Sequence, residues 1–430
     1  MSPLRRAVKN FGQLLRGRGV AAVLELLTIG LLARTLTPDH LGYVVLAQTY
    51  VLVVRSLLDF NLYEVLVRFG VPLLEAKDES AFKQLLRLTL FIDLSSSVAA
   101  TVIAMLAAPL VGKILGWDDS LPFMAILYSG VLLTYGCGTA KGVLRIYDRY
   151  DVLGIQLMIP PVLRLAGVGI VMMLKPTGLM FLAALALATA VGNIYMMVQG
   201  WGELKRQIGS VNFKGCSLKG WAQTFPGLDQ FIGVVYWQSN LDMLPKYIST
   251  LFAGAFLGPA ASGYMRLAYE TTKVVSKPGA LMRQVLFPDM VRMWVRQSGD
   301  FGSLLSRALL LSALFGLVFT VASLFGGSYL FSRALGEPYA QAAPLLSLML
   351  FAATMDLLAT VLRAAGYAQG HAGKILRLNL IGAAIYLTAF VSLTPLIGLI
   401  GPGLAACIGS LVPLAGIGML VSKSLRNATR

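Results

Sequence analysis

Apolar runs of about 20 residues recur from one end of this 430-residue chain to the other. That is the length an α-helix needs to cross the hydrocarbon core of a bilayer, and about twice what a membrane β-strand needs. Because hydrocarbon offers the backbone no hydrogen-bond partner, each run must pair its own N–H and C=O groups, which a helix does. Composition agrees, with 57% of residues hydrophobic and 13% charged, against about 25% charged in a soluble domain. The sequence therefore predicts an all-α polytopic membrane protein. Runs bounded by Pro, Gly and charge place spans near 19–36, 42–66, 88–110, 121–142, 152–174 and 178–201. A second set follows near 228–257, 262–287, 303–325, 341–362, 376–397 and 400–422, about 12 in all.

Basic residues set the direction of these spans. With the N-terminus inside, 25 of the 36 Lys and Arg fall on inner segments and only Lys113, Lys175 and Arg333 on outer ones. This is the positive-inside asymmetry, and it places both termini in the cytoplasm. The formal net charge of +16 then needs no nucleic-acid partner. Two His and three well-separated Cys (Cys137, Cys216, Cys407) lack metal or redox spacing. The first apolar run, interrupted by Glu25 and Arg34, is not read as a cleavable signal.

One segment resists hydropathy. "RLAYETTKVVSKPG", residues 266–279, carries Arg266, Glu270, Lys273 and Lys277 at spacings of four, three and four, which puts them on one helical face. Parity decides its place. Were it not a span, the basic loops at 288–307 and 363–377 and the basic tail would all move outside, against the rule.

Self-similarity supports the same conclusion. "LTPDHLGYVVLAQ" (36–48) aligns with "LGPAASGYMRLAY" (257–269), so that Leu36, Pro38, Gly42, Tyr43, Leu46 and Ala47 meet Leu257, Pro259, Gly263, Tyr264, Leu267 and Ala268. The repeat implies two lobes of six helices, 1–210 and 211–430, running parallel because six is even. It also sets Glu25 opposite Lys246. That match is read either as a pair between lobes or as two charges neutralised within their own halves, Lys246 by Asp242.

The stretch "LLARTLTPDHLGYVVLAQTYVLVVRSLLDFNLYEVLVR" and the later "GVLRIYDRY" resemble the polysaccharide and O-antigen (Wzx-like) flippases. That family belongs to the superfamily containing MATE exporters and the lipid II flippase. Ala33, Arg34, Leu36, Pro38, Gly42, Asp59, Phe60 and Leu62 fit its pattern, while Thr37 and Asn61 replace glycines and Tyr43 comes one place early. Asn tolerates positive φ better than other non-glycine residues, so the turn at position 61 survives the exchange. The resemblance implies a V-shaped pair of lobes around a cavity of alternating access in a bacterial inner membrane. Its implied partners are an undecaprenyl-pyrophosphate-linked glycan, membrane lipids and the polysaccharide assembly machinery.

The charges inside spans suit such cargo. A pyrophosphate and a glycan cannot enter hydrocarbon unaided, and charges on a spanning helix face a cavity or a partner, not lipid. The candidate substrate-binding cations are Arg55, Lys246, Arg266, Lys273 and Lys277. Candidate gating or ion-coupling acids are Glu25, Asp59, Asp242 and Glu270, and the candidate hinge is Pro278–Gly279. Arg55–Asp59 and Asp242–Lys246, each four apart, serve equally well as self-neutralising packing pairs. Asp93, Asp229 and Asp356 are further intramembrane acids, read alike either as carriers of coupling protons or sodium or as helix–helix hydrogen-bonding groups, and Gly130, Thr134, Gly138 and Gly142 recur every four residues of span four as a packing face. No cofactor is expected, protons or sodium being the coupling ions open to such a transporter. A cation exporter would want a net negative site. A membrane enzyme of glycan assembly would want catalytic residues on large loops, and the outer loops here are short.

Overall fold

The computed structural model describes residues 3–174, 176–209, 221–296 and 300–428. Among them every regular element is a helix. Eight segments are long and apolar enough to cross a membrane, and the last of these, 372–426, contains two consecutive helices. The spans expected near 19–36, 228–257 and 262–287 lie on three further helices of 33, 30 and 37 residues. The lobe boundary expected at 210 and 211 falls on residues outside the described set. Contacts divide the chain into one unit of Met1–Leu36 with Tyr43–Ile248 and a second of Thr37–Gly42 with Ser249–Arg430.

The first unit contains α1 (Pro3–Thr35), most of α2 (Pro38–Leu58), α3 (Leu62–Glu75) and α4 (Glu79–Leu115). It continues through α5 (Ser120–Ser129), α6 (Gly138–Ile146), α7 (Tyr150–Met173), α8 (Gly178–Ile208), the short α9 (Trp221–Thr224) and most of α10 (Leu228–Leu257). Here α1 packs along α7, α7 along α8, and α3 against α6. Leu62, Val65, Leu66, Phe82, Leu85, Leu86, Val143 and Leu204 form a buried cluster where α3, α4, α6 and α8 meet.

Two spans of this unit are interrupted. Span two stops at Leu58 and resumes at Leu62. Asn61 between them sits at φ 49°, ψ 44°, the left-handed conformation anticipated for an Asn in a glycine position. Span four is α5, a 3-10 turn over Gly130–Tyr135, a gap at Gly136 and Cys137, and then α6. The packing face expected from the four-residue spacing is therefore broken up. A Cβ at Gly130 would meet nothing within 4 Å, one at Gly138 would come 2.8 Å from the Asp93 carboxylate, and one at Gly142 would come 2.9 Å from Leu66.

The second unit is built on α11 (Pro259–Val295), α12 (Asp300–Leu335), α13 (Ala343–Ala368), α14 (Ala372–Ile397) and α15 (Gly401–Ala428). Helix α13 packs against α11, α12 and α15, and α14 runs along α15. Helix α12 shows why this packing suits lipid. Its buried face holds Ser312, Gly316, Thr320, Ser323 and Gly327, while Leu311, Leu314, Val318, Leu324 and Phe325 are exposed. Small residues let backbones approach and hydroxyls bond across the contact. Accordingly Ser323 Oγ lies 3.0 Å from Ser347 Oγ, and a Cβ at Gly316 would stand 2.4 Å from Thr354.

The repeated motif acquires a physical role. Both α2 and α11 begin on the motif proline, whose fixed φ suits a first helical position. A Cβ on Gly42 would lie 2.0 Å from the carbonyl oxygen of Pro259, and one on Gly263 would lie 3.3 Å from that of Pro38. Each glycine thus faces the proline of the other motif, within the second unit. The motif tyrosines do corresponding work: Tyr43 donates to Asp118 at 2.6 Å and Tyr264 to the Pro338 carbonyl at 3.0 Å. Asp118 lies between helices, and although partial burial pushes its carboxyl up, hydrogen bonds from Tyr43, Ser120 and Leu121 outweigh this and hold it below its ordinary value.

Backbone cannot yield at Gly42 as a flexible side chain would. Gly42→Leu should therefore cost at least about 1–3 kcal/mol and lower the melting temperature of the purified protein in detergent. Gly19→Ala, where a Cβ meets nothing within 4 Å, should leave it unchanged. Equal melting of the two variants would contradict the close approach.

Candidate functional site

The interruptions of the first unit gather Arg55, Asp59 and Asp93. At the end of α2 the Arg55 guanidinium lies 3.3 Å from Asp59 and stacks 3.8 Å from the centroid of the Tyr135 ring. The other Asp59 oxygen accepts the Asn61 N–H at 3.0 Å. One carboxylate thus neutralises an arginine and also satisfies the backbone of the break, as the absence of water requires. Arg55 Nε is buried without a hydrogen-bond partner among the described residues.

Asp93 on α4 repairs the second break. It is 8% exposed, and one of its oxygens accepts both the backbone N–H and the hydroxyl of Thr139, each at 2.5 Å. It therefore sits at the N-terminus of α6, where orphan N–H groups and the helix dipole favour an anion. Gly138 is small because this carboxylate passes beside it. Arg55, Asp59, Asp93, Ser96, Ser97 and Tyr135 line a small cavity of about 20 Å³, enough for a water molecule. The sequence did not separate Asp93 from Asp229 and Asp356; burial does, since both of the latter are exposed.

Two more charged residues meet elsewhere in this unit. Glu25 on α1 lies 3.8 Å from Arg164 on α7, and Arg164 donates to Thr189 on α8 at 2.9 Å. The repeat match of Glu25 with Lys246 leaves open a pair between lobes or neutralisation of each charge within its own half. Packing of α1 along α7 supplies Arg164 as a partner, a residue the repeat offset does not single out. The Lys246 side chain is exposed.

In the second unit the charged stripe of α11 is intramolecularly bridged. Glu270, 3% exposed, lies 3.0 Å from Arg266 and 2.6 Å from Lys273. One buried carboxylate serves two cations, one on the turn before it and one on the turn after, and the described triad keeps a net positive charge. The neighbouring Tyr269 hydroxyl meets that of Tyr386 at 3.1 Å, and Tyr386 donates to Ser249 at 2.8 Å. The side chains of Asp242, Lys277, Pro278 and Gly279 lie outside the described residues. Lys141 and Arg145 are among the 25 basic residues that the topology count assigns to inner segments. They sit on α6, half-buried, because the helix resumes at Gly138 after the break.

Removing the shared carboxylate tests the triad. Glu270→Leu leaves two cations without it and should destabilise the protein by about 1–3 kcal/mol. Glu270→Gln, which keeps an acceptor oxygen, should cost less. A melting temperature unchanged by the leucine substitution would show that the bridge carries no weight.

A family of polysaccharide biosynthesis proteins matches residues 31–344. The chain is 25% identical over 346 residues to the inner membrane protein YghQ of Escherichia coli K12, covering 80% of this chain and 96% of the relative. Its fold is similar to the inward-facing conformation of a multidrug resistance MATE family transporter of the MOP superfamily. That likeness has a TM-score of 0.73 and 16% identity, over 94% of this chain and 96% of the other. It is also similar to the lipid II flippase MurJ in an inward closed conformation, with a TM-score of 0.70 and 12% identity over 96% and 88%.

Proposed function

We propose that this chain, which belongs to the polysaccharide biosynthesis protein family, is a flippase that moves a polyprenyl-pyrophosphate-linked oligosaccharide across the bacterial inner membrane by alternating access. The observation that carries the proposal is the pair of interrupted spans with charged residues gathered at the breaks. Irregular backbone at membrane depth persists where it is buried in protein or lines a cavity, and transporters build their sites there. A stable, inert bundle would have no use for Arg55, Asp59 and Asp93 in hydrocarbon, where each charge is costly.

Chemistry favours an anionic cargo with a polar extension. Arg55, Arg266 and Lys273, with Lys246 and Lys277, are proposed to replace the hydration of the pyrophosphate. Serine, threonine and tyrosine hydroxyls near them can bond a glycan. The likeness to a lipid II flippase supports a lipid-linked substrate. The likeness to an inner membrane protein supports that location, with both termini inside as the basic loops predict. Asp59, Asp242, Glu25 and Glu270 are proposed to couple transport to protons or sodium, and Pro278–Gly279 to act as the hinge. Contacts with polysaccharide assembly machinery would follow from this role.

The test is in cells lacking the gene. Complementation with Lys273→Gln, Lys277→Gln should insert normally yet leave the lipid-linked glycan accumulated on the cytoplasmic face, with surface polysaccharide lost. Wild-type surface polysaccharide at equal protein level would remove the stripe from the transport path. Absence of any accumulated lipid-linked glycan in the deletion strain would overturn the flippase reading itself.

A further inference from the structure

Lys141 and Arg145 stand one turn apart on α6, and both lie over the ring of Tyr63 on α3. The Lys141 ammonium is 4.1 Å and the Arg145 guanidinium 4.2 Å from its centroid. Gly142, between them in sequence, makes this possible. A Cβ there would come 2.9 Å from Leu66 and 3.2 Å from the Tyr63 Cα, so only glycine lets α6 lie this close to α3. The tyrosine is fixed from its other end, its hydroxyl donating to Glu64 at 2.6 Å.

Among the described residues no carboxylate pairs with either cation. The acids on neighbouring elements are engaged: Asp59 with Arg55 and the Asn61 N–H, Glu64 with Tyr63, and Asp93 with Thr139. Arg145 Nε is buried with no hydrogen-bond partner among the described residues. A ring face attracts a cation through its quadrupole and takes from it at most a weak N–H···π contact. Lysine brings three N–H donors and arginine five. The pair is thus held in place by stacking, and among the described residues its N–H donors have no carboxylate partner.

From this geometry we infer that Lys141 and Arg145, positioned by Tyr63, form a second anion seat that takes the phosphate or pyrophosphate of a lipid head group. A guanidinium fork beside a compact ammonium matches the several oxygens of a phosphate better than a single carboxylate. Because Arg145 lies on the last turn of α6, which ends at Ile146, with Lys141 one turn before it, the seat lies toward the cytoplasmic side in the orientation the basic loops predict. It is the place where a pyrophosphate lipid would be held before reaching Arg55. The choice of a lipid-linked pyrophosphate rests on the flippase reading, whereas the phosphate chemistry of the seat does not.

The test uses the full chain in nanodiscs of zwitterionic lipid, with binding of undecaprenyl pyrophosphate, phosphatidylglycerol and inorganic pyrophosphate followed by native mass spectrometry. Lys141→Gln with Arg145→Gln should weaken binding of the two pyrophosphate probes by at least about tenfold, and the charge-conserving exchange Lys141→Arg with Arg145→Lys should keep it within about threefold. Loss confined to phosphatidylglycerol would support a phosphate seat and assign it to bulk lipid, overturning the pyrophosphate source. Equal binding of all probes by wild type and the double glutamine variant would overturn the seat while leaving the flippase reading intact. Wild type that binds no probe would overturn both. Should the double variant fail to give a monodisperse protein, each single glutamine substitution is expected to weaken binding by about threefold or more, and no change in either would overturn the seat.

Discussion

A bilayer offers no hydrogen bond to an opened helix, and that constraint organises the first unit. Each interrupted span exposes N–H groups that must be satisfied from within the protein. In both cases the chain answers with an aspartate, Asp59 for the Asn61 N–H and Asp93 for that of Thr139. A carboxylate placed in hydrocarbon then needs its own compensation. Arg55 provides it for Asp59, and the α6 N-terminus with the Thr139 hydroxyl provides it for Asp93. The polar cluster is the consequence of breaking the helices, and the breaks are what give a membrane lobe somewhere to put charge.

The second unit solves a related problem on one helix. Arg266, Glu270 and Lys273 satisfy each other across successive turns of α11, with no backbone interruption in that stretch. Their geometry is local and set by helical spacing alone. Asp93, in contrast, ties α4 to α6 across 46 positions of sequence. Displacing a ligand on α11 would redistribute charge within one helix. Displacing Asp93 would release one helix from another, so the first unit is the one whose polar contacts bear on the arrangement of its elements.

What was legible in the sequence follows the same division. Helical spacing revealed the α11 stripe, and an Asn in a glycine position announced the left-handed turn at Asn61. The L-x-P-x-x-x-G-Y motif marked two glycines that face each other's prolines, because close backbone approach leaves a residue-type signature. The second break left none of this kind. Gly130, Thr134, Gly138 and Gly142 at intervals of four mimic a continuous packing face, and only the fold shows that one makes room for Asp93 and another for α3. For Glu25 the repeat leaves two readings open, and the fold adds a partner the offset does not point to: Arg164, 139 residues along the chain, reaches it through the packing of α1 on α7, within the same unit.

Lys141 and Arg145 expose a competition between two readings of the same residue types. Topology uses basic residues as a count, and an excess of 25 over 3 is indifferent to whether two of them sit in a loop or on a helix. Recognition uses them as geometry, through a ring beneath and donors left over. A basic residue at the cytoplasmic end of a span therefore satisfies the positive-inside rule whatever else it does, and the rule absorbs it without remainder. What separates the two roles is burial against a fixed partner. A residue serving topology alone has no reason to lose rotamer freedom, which costs up to about 2 kcal/mol for a long side chain. Held half-buried against Tyr63 by the close contact at Gly142, these two have lost part of that freedom, and recognition of an anion is a role that makes use of the loss.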